Sequence, residues 1–355
     1  MRFNDGRDQI FLTYTAGVSY DSNIFTASGG SGDYVFNSGL SLEYMRRAGL
    51  IGINGNLGWG FSKFASFSSE DFATPNVGLE FTKSTGRTTG SLTLSGSQSS
   101  KPDINTNIRT ESFNYNVGLG LRYPVIERYS LAGNFSYGGT DYRDNSAGLA
   151  DLHTHSAGID LFYAWRSDRD LIFGYRYRHS DTSADTASVD HNINTGVSGK
   201  IWGKVNGSIR VGLQQRVSEP LGGGPDETFT GVTTSISATW TVSKRVSVTG
   251  IVARDFNTTS TSTNTESTTF TLSGQYAVNA KLSLNAQVST GINDYLDAAS
   301  GNRQDNYYSY GFGFSYVLHP HLTIAGSYDY FSNSSTLAVS EFDRHIFSLN
   351  LTSRW

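Results

Sequence analysis

The sequence contains no cysteine, and this absence excludes disulfide bonds, thiol catalysis and thiolate metal sites. It also contains no apolar stretch of the roughly 20 residues that a transmembrane helix requires. With 37% hydrophobic residues and a mean hydropathy of -0.34, the chain cannot supply a helical membrane protein. Charged residues make up only 16% of the chain, against about a quarter in soluble domains.

The first residues, Met1 to Gly6, contain no apolar segment of a secretory signal. We interpret Met1 as an initiator placed before a mature sequence. The net charge of -4 gives no reason to expect a nucleic-acid partner.

What the sequence does contain is a period-two alternation of apolar and small polar residues, in runs of about ten to fourteen. Side chains on a strand point to opposite faces, so each run has one apolar and one polar face. In the first run the apolar face holds Ile10, Leu12, Tyr14, Ala16, Val18 and Tyr20. The abundance of Gly (39), Tyr (20) and Phe (21) fits strands with one lipid-facing side and aromatic residues at both membrane interfaces.

The runs predict the fold. About eighteen strands can be counted, with 16 also possible, and the links between them are alternately long and short, nine long and eight short. This order is typical of an all-β, transmembrane, antiparallel up-and-down β-barrel with short periplasmic turns and longer extracellular loops. We therefore expect residues 1–355 to form a single outer-membrane barrel domain in a Gram-negative bacterium. A soluble β-sandwich is the alternative, but its outer face would carry more charge.

The end of the chain adds a second signal, because terminal residues are usually polar and frayed. Here the last run is apolar and stops on an aromatic residue, and it resembles the C-terminal signal read by the barrel-assembly machinery. Its residues are Phe347, Leu349, Leu351 and Trp355. The alternative is a closing strand that needs an apolar outer face in any barrel.

The inferred inner face carries charges in two groups. A basic group lies on three consecutive strands, and it consists of Arg176, Arg178, Lys200, Arg210 and Arg216. An acidic group, Glu43 and Glu80, lies on early strands. The two groups would set up a transverse field that orients a polar solute, if they face each other across the pore. Alternatively, the arginines pair locally with Asp160 or glutamates and only hold the wall.

Aromatic residues fall mostly on the inferred lipid face, which favours interfacial anchoring over a sugar-binding track. Phe162, Trp202 and Tyr307 are the exceptions, placed on the lumen side by the alternation. The Ser- and Thr-rich tract from Asn257 to Thr265 is interpreted as a low-complexity loop suited to solvation or to contact with surface sugars.

No catalytic, cofactor or metal site is expected. His153 and His155 share one face of a strand, but they have no evident third ligand. The segment from Gly222 to Pro225 lacks the Lys-Ser/Thr ending of a phosphate-binding loop. An enzyme of the barrel type would need a close Ser-His pair at the membrane boundary, and the sequence offers no good candidate.

One short motif carries a family resemblance. The segment Tyr20-Asp21-Ser22-Asn23-Ile24-Phe25 resembles a stretch near the start of the putative β-barrel porin 2 family. Asp21 and Asn23 are suited to side-chain-to-backbone turns that end a strand, and Ile24 and Phe25 to packing back as an apolar plug. The resemblance implies an outer-membrane barrel, often linked with exopolysaccharide export, with no catalytic residues.

These observations lead to a functional expectation with one alternative. We expect a passive channel for a polar solute, plausibly a polysaccharide or oligosaccharide, with membrane lipid, the assembly machinery and polysaccharide export components as partners. The alternative is a plugged scaffold barrel that binds a surface polymer or a partner protein. An inward-folded loop would favour this alternative, and the loop from Ser22 to Gly32 is the candidate.

Overall fold

A computed structural model describes residues 2–3, 7–47, 49–143, 148–219, 224–297 and 301–355. Met1, which we interpret as an initiator, lies outside the described residues, as does part of the glycine-rich segment that ends at Pro225. No helix in the described ranges is long and apolar enough to cross a membrane.

The described chain is a sheet of nineteen strands, of which β1 is a two-residue strand paired with β2. Their bounds are β1 Arg2–Phe3, β2 Asp8–Asp21, β3 Asp33–Arg46, β4 Gly52–Phe64, β5 Phe72–Lys83, β6 Thr89–Pro102, β7 Arg109–Ile126, β8 Tyr129–Tyr142, β9 Leu152–Arg166, β10 Arg169–Thr182, β11 Ala187–Trp202, β12 Val205–Ser218, β13 Glu227–Thr241, β14 Val246–Thr258, β15 Asn264–Ala277, β16 Leu282–Tyr295, β17 Gln304–His319, β18 Leu322–Ser335 and β19 Phe342–Arg354.

Strands β2 to β19 form a closed barrel, because each pairs antiparallel with its sequence neighbours and β19 returns to pair with β2. The closing register runs from Ile346 opposite Asp21 to Arg354 opposite Thr13. The prediction of about eighteen strands is therefore confirmed. Two short 3₁₀ turns, Ser68–Glu70 and Ala338–Ser340, lie in the links.

The period-two pattern places apolar residues outside and polar residues inside. Across neighbouring strands Leu12 lies opposite Leu42, and Leu42 opposite Leu57, so the apolar residues form continuous rows around the outer wall. A strand of 14 residues is about 46 Å long and spans about 35 Å when tilted by about 40°, more than the apolar band of about 25 Å. The strand ends therefore extend beyond the membrane core.

The two ends of the barrel differ, and we call them the long-loop end and the short-turn end. The link 22–32 lies at the long-loop end, and turns such as 167–168 lie at the other. Four of the five tryptophans are at the short-turn end, where they form part of an aromatic girdle: Trp165, Trp202, Trp240 and Trp355.

The prediction that Trp202 faces the lumen is wrong. The register shifts between Lys200 and Trp202, so that Trp202 lies opposite the outward-facing Val205. Such a bulge adds one residue to a strand and reverses the alternation beyond it. Trp202 is consequently 81% exposed on the outer wall.

One hairpin leaves the wall. Pairing between β13 and β14 ends at Thr234 opposite Arg254, although β12–β13 pairing continues to Glu227 and β14–β15 pairing continues to Thr258. We call residues 255–266 the inward hairpin. Phe256 is buried, and its ring lies over Gly231 of β13, where an added Cβ would be 2.9 Å from the ring. The upper part of β14 therefore crosses the inner face of β13.

The Ser- and Thr-rich tract is part of this hairpin, so its interpretation as a solvated loop is wrong. Ser262, Asn264 and Thr265 are buried. Their polar groups find partners inside the barrel, as in the bond from Asn264 Nδ2 to Ser218 Oγ at 2.9 Å. A polar tract is compatible with burial here because the lumen it enters is itself polar.

Candidate functional site: the lumen and its outer mouth

The strongest polar cluster of the lumen lies near the long-loop end. Asp190 accepts hydrogen bonds from Arg178 Nε at 2.7 Å and from Arg216 Nε and Nη2, both at 2.8 Å. Arg178 also donates to both carboxylate oxygens of Asp255, at 3.2 and 3.3 Å. Arg216 is 1% exposed and Asp190 2%, so this ion-pair cluster is almost completely removed from solvent.

This ion-pair cluster anchors the inward hairpin to strands β10 and β12. β10 and β14 are separated by β11, β12 and β13, which corresponds to about 19 Å along the wall. Arg178 of β10 nevertheless bonds Asp255 of β14, and it donates to Phe256 O at 2.6 Å. Arg216 donates to Asn257 O at 2.8 Å. The two arginines thus bind backbone carbonyls of a strand segment that has left its β13 neighbour.

A second pair lies closer to the middle of the barrel. Arg210 donates to the two oxygens of Asp160 at 2.8 and 3.1 Å, and to Asn194 Oδ1 at 3.3 Å. Of the two sequence-based interpretations of the basic group, the structure supports local pairing, with Asp160 as one of the partners named. Lys200 lies on the same inner face, exposed, near the short-turn end.

The acidic residues lie at a different depth. Glu43 and Glu80 are both close to the short-turn ends of their strands, and Glu43 forms an ion pair with Arg354. Arg178 and Arg216 are close to the long-loop end. The expected transverse arrangement is therefore wrong for four of the five basic residues, and of that group only Lys200 shares the depth of the two glutamates.

Sequence reasoning missed Asp190 and Asp255. Asp190 could have been found, because the registers place Arg178, Asp190 and Arg216 side by side on consecutive strands. Asp255 could not, because it reaches the cluster only through the departure of β14 from the wall.

Below the ion-pair cluster, a polar cavity of about 400 Å³ opens on the inner wall. Residues of β8 to β14 line it, among them Asn134, Asp160, Arg176, Asn192, Asn194 and Arg210. Arg176 is 38% exposed at its side chain and donates to Asp255 Oδ2 at 3.0 Å.

Successive hydrogen bonds fix the side-chain amides of this cavity. Arg210 donates to Asn194, Asn194 Nδ2 donates to Asn192 Oδ1 at 2.9 Å, and Asn192 Nδ2 donates to Thr233 Oγ1 at 2.6 Å. Gly174 lies between Asp160 and Asn194, and an added Cβ would be 2.2 Å from Asp160 Oδ1. Glycine is therefore needed at position 174, so that both side chains can lean over it.

The outer mouth is bridged by contacts between loops. Asn105 of the link 103–108 accepts from Tyr295 OH at 2.8 Å and from Arg303 Nη1 at 3.0 Å. Ser260, at the tip of the inward hairpin's loop, donates to Asp103 Oδ2 at 2.5 Å. A barrel of 18 strands is about 35 Å wide, and β6 lies nearly opposite β14. These loops consequently lean inward and meet over the lumen.

The link 103–108 has further partners. Asn107 Nδ2 donates to Val339 O at 2.9 Å, and Ser340 Oγ donates to Ile104 O at 3.0 Å. The hairpin tip also holds the wall, since Ser262 Oγ donates to Thr182 Oγ1 at 3.0 Å. The link 103–108 is thus a hub that joins loops from several sides of the mouth.

The loop from Ser22 to Gly32 folds inward, as expected. Asp21 Oδ1 accepts from Asn23 N at 3.0 Å, the predicted turn at the strand end. Ile24 is completely buried and packs with Val35 and Phe64 in an apolar cluster inside the mouth. Arg109 Nη1 donates to Ile24 O at 3.2 Å, which ties this loop to β7.

Few aromatic rings face the lumen. Phe162 is covered by Arg122, whose guanidinium carbon is 4.2 Å from the ring centroid. Tyr307 stacks on Phe331, and Phe331 on Phe342, with centroids 5.6 Å apart in each case. Phe331 and Phe342 were not identified from the sequence. The three rings lie side by side on the adjacent strands β17, β18 and β19.

The histidines on β9 have structural partners. His153 Nδ1 lies 2.7 Å from Tyr115 OH, and His155 stacks on Tyr137 with centroids 4.6 Å apart. Within the described ranges no group of three or more His, Asp and Glu residues could hold a metal ion.

Comparison with known proteins gives a family match over part of the chain and a fold. Residues 188–355 match the family model "Putative beta-barrel porin 2", the family that the Tyr20–Phe25 segment resembles, although that segment lies outside the match. No curated protein matches the chain.

Solved outer-membrane proteins share the barrel at low sequence identity. Pseudomonas aeruginosa OccK1 (OpdK) is 10% identical with a TM-score of 0.55, over 98% of this chain and 99% of that chain. OccK2 (OpdF) of the same organism, in complex with glucuronate, is 11% identical with a TM-score of 0.52 and full coverage of both chains.

A larger transporter is also similar. The FrpB iron transporter of Neisseria meningitidis (F3-3 variant) is 10% identical with a TM-score of 0.52, and the match covers 92% of this chain. The match covers only 62% of the FrpB chain. At such identities these likenesses establish the fold alone, a closed antiparallel β-barrel.

Proposed function

We propose that this outer-membrane β-barrel, whose residues 188–355 match the putative β-barrel porin 2 model, is a passive channel for small polar solutes. The observation that carries the proposal is the polar lumen cavity beneath a mouth bridged by loops. An open 18-stranded barrel would leave a wide aqueous bore, whereas the inward hairpin and the link 103–108 restrict it. Solutes of about the size of a monosaccharide are the class that this arrangement favours.

The ligands of the similar solved barrels support small solutes. OpdK was crystallised with vanillate and OccK2 with glucuronate, and FrpB is described as an iron transporter. None of these proteins is described with a polysaccharide, and the bridged mouth also argues against passage of a polymer. The expectation of exopolysaccharide export is therefore not supported.

Passage would be diffusive. A solute that enters from the mouth exchanges its water for the amides, hydroxyls and guanidinium groups of the wall, so a polar solute loses little hydrogen bonding on entry. Selectivity would come from the size of the gap between the loops and from the charge of the wall.

The test combines conductance with solute uptake, using the full chain refolded into lipid. In planar bilayers we expect stable steps that are small for an 18-stranded barrel. In liposome swelling we expect uptake of glucose and arabinose and no uptake of dextran. Equal uptake of glucose and dextran would contradict the restricted mouth.

A plugged scaffold barrel is the second candidate, and the same bridging contacts favour it. The two candidates differ in one measurement. If neither ions nor glucose cross a barrel that is folded, as shown by its heat-modifiable electrophoretic mobility, then the channel proposal is wrong and the scaffold candidate replaces it.

A further inference from the structure

The polar cavity has the donors for an anionic group. Arg176 makes one hydrogen bond to a described residue, the bond to Asp255. A guanidinium carries five N–H donors in a planar fork, so most of those of Arg176 remain for a solute. Asp255 is at the same time held by Arg178, so Arg176 is not needed to compensate that carboxylate.

The charges of the surrounding wall favour an anion. Among the described residues, five arginines, three aspartates and one glutamate lie in adjoining ion pairs around the cavity, which leaves one positive charge in excess. The residues are Arg176, Arg178, Arg210, Arg216 and Arg254 with Asp160, Asp190, Asp255 and Glu266. Partial burial weakens solvent screening, so this excess acts at short range on a bound group.

A hydroxyl-binding group stands beside Arg176. The registers place Asn134 opposite Gly158 and Gly158 opposite Arg176. Asn134 and Arg176 are therefore about 10 Å apart at their Cα atoms, with a glycine between them. Asn134 is exposed, and its amide leans over Gly158, where an added Cβ would be 2.6 Å from Asn134 Oδ1. Gly158 has no side chain, so space for a solute remains between the side chains of Asn134 and Arg176.

We propose that this cavity is a binding site for small hydroxylated carboxylates, with the carboxylate on Arg176 and hydroxyl groups on Asn134. The inference rests on the proposed channel function and names its solute class. A bidentate contact of a guanidinium with a carboxylate is stronger than a neutral hydrogen bond and fixes the orientation of the solute. Arg210 and Arg254 also line the cavity, but each is already bidentate to a carboxylate, Asp160 and Glu266 respectively, so Arg176 is the residue that discriminates.

The chain offers a matched control for Arg176. Arg122 also faces the lumen and is 45% exposed at its side chain, and it is 2.9 Å from Asp170, against 3.0 Å for Arg176 and Asp255. Arg122 does not line the cavity. Arg176→Gln and Arg122→Gln therefore remove the same charge from similar ion pairs, one inside the cavity and one outside it.

The experiment is isothermal titration of the refolded full chain in detergent with glucuronate and with glucose, which differ only in the carboxylate. We expect glucuronate to bind about tenfold more tightly than glucose, as one charge-assisted contact allows. Arg176→Gln should abolish the difference, Arg176→Lys should retain part of it, and Arg122→Gln should leave it unchanged. High salt should weaken glucuronate binding only.

The outcomes distinguish failure of the proposed binding site from failure of the proposed channel function. Equal binding of the two sugars by the native chain, or an equal effect of Arg176→Gln and Arg122→Gln, overturns the site. Conductance and swelling are measured on the same preparations. A barrel that binds glucuronate but passes neither ions nor glucose retains the site and overturns the channel, whereas a conducting barrel without preference retains the channel and overturns the site.

Discussion

Asp190 is the buried carboxylate that Arg178 and Arg216 share in the lumen wall. It is nearly fully buried and accepts from two arginines, of which Arg216 is 1% exposed. Removal of one partner from a buried ion pair is strongly destabilising, because the remaining charges stay buried without compensation. Ion pairs at exposed positions, in contrast, contribute little.

We expect Asp190→Asn to lower the free energy of unfolding by about 3 kcal/mol, since Arg178 and Arg216 lose their shared carboxylate. Glu43→Gln, which breaks the more exposed pair with Arg354, should lower it by about 1 kcal/mol or less. The measurement is urea-induced unfolding of the barrel in lipid vesicles, followed by tryptophan fluorescence. Equal losses in the two variants would show that the cluster is not buried in the membrane-bound protein.

At the scale of the residue, the sequence predicts for most side chains, but not for all, whether they face the lumen or the lipid. Alternation places Arg176, Arg178, Arg210 and Arg216 inside, where the structure has them. It fails for Trp202, because the bulge at the end of β11 reverses the alternation. Gly199 and Gly203, both with positive φ, flank this bulge and are the sequence signal that could have marked it.

At the scale of the element, the inward hairpin determines the shape of the lumen. It could not be predicted from the pattern, because alternation in β14 and β15 is the same whether the hairpin stands in the wall or leans inward. One signal was available. Arg254 and Glu266 occupy positions that would face lipid by alternation, and a charged pair there is costly unless the strand has changed its surroundings.

A cysteine pair can test the position of the hairpin, since the chain has no native cysteine. Thr182→Cys with Ser262→Cys should form a disulfide in the folded barrel, because the two side-chain oxygens are 3.0 Å apart. The readout is the mobility of the heat-denatured, unreduced protein in electrophoresis. Both single variants should migrate like the native chain.

A second cysteine pair tests the alternative arrangement, in which the hairpin continues in the barrel wall. Extension of the Thr234–Arg254 register by four residues would place Thr230 opposite Thr258 if the hairpin stood in the wall. Thr230→Cys with Thr258→Cys should therefore remain reduced. A disulfide in this pair, and none between positions 182 and 262, would contradict the inward hairpin.

At the scale of the whole molecule, closure of the barrel depends on the last strand. Trp355 donates its backbone N–H to Leu12 O at 2.9 Å and accepts from Leu12 N at 3.0 Å, so the final residue is paired with β2. Its indole stacks on His321 with centroids 4.4 Å apart. The number of strands and the alternation of long and short links were readable from the sequence because every strand repeats the same period-two rule. The bridging of the mouth could not be predicted from the sequence, because it depends on contacts between loops on different sides of the barrel.

The proposed assembly signal at the C-terminus can be separated from barrel stability. Trp355 is 64% exposed on the outer wall, and Trp202 occupies the same girdle at the short-turn end. Trp355→Ala and Trp202→Ala both remove an interfacial indole, and both leave the backbone hydrogen bonds in place.

After refolding in detergent, the two variants should therefore have similar midpoints of urea unfolding. In Gram-negative cells, if the assembly machinery reads the terminal aromatic residue, the heat-modifiable folded form in the outer membrane should fall several-fold for Trp355→Ala and should stay near the native level for Trp202→Ala. An equal fall for both variants would assign Trp355 to interfacial anchoring alone, since position 202 lies outside the terminal strand.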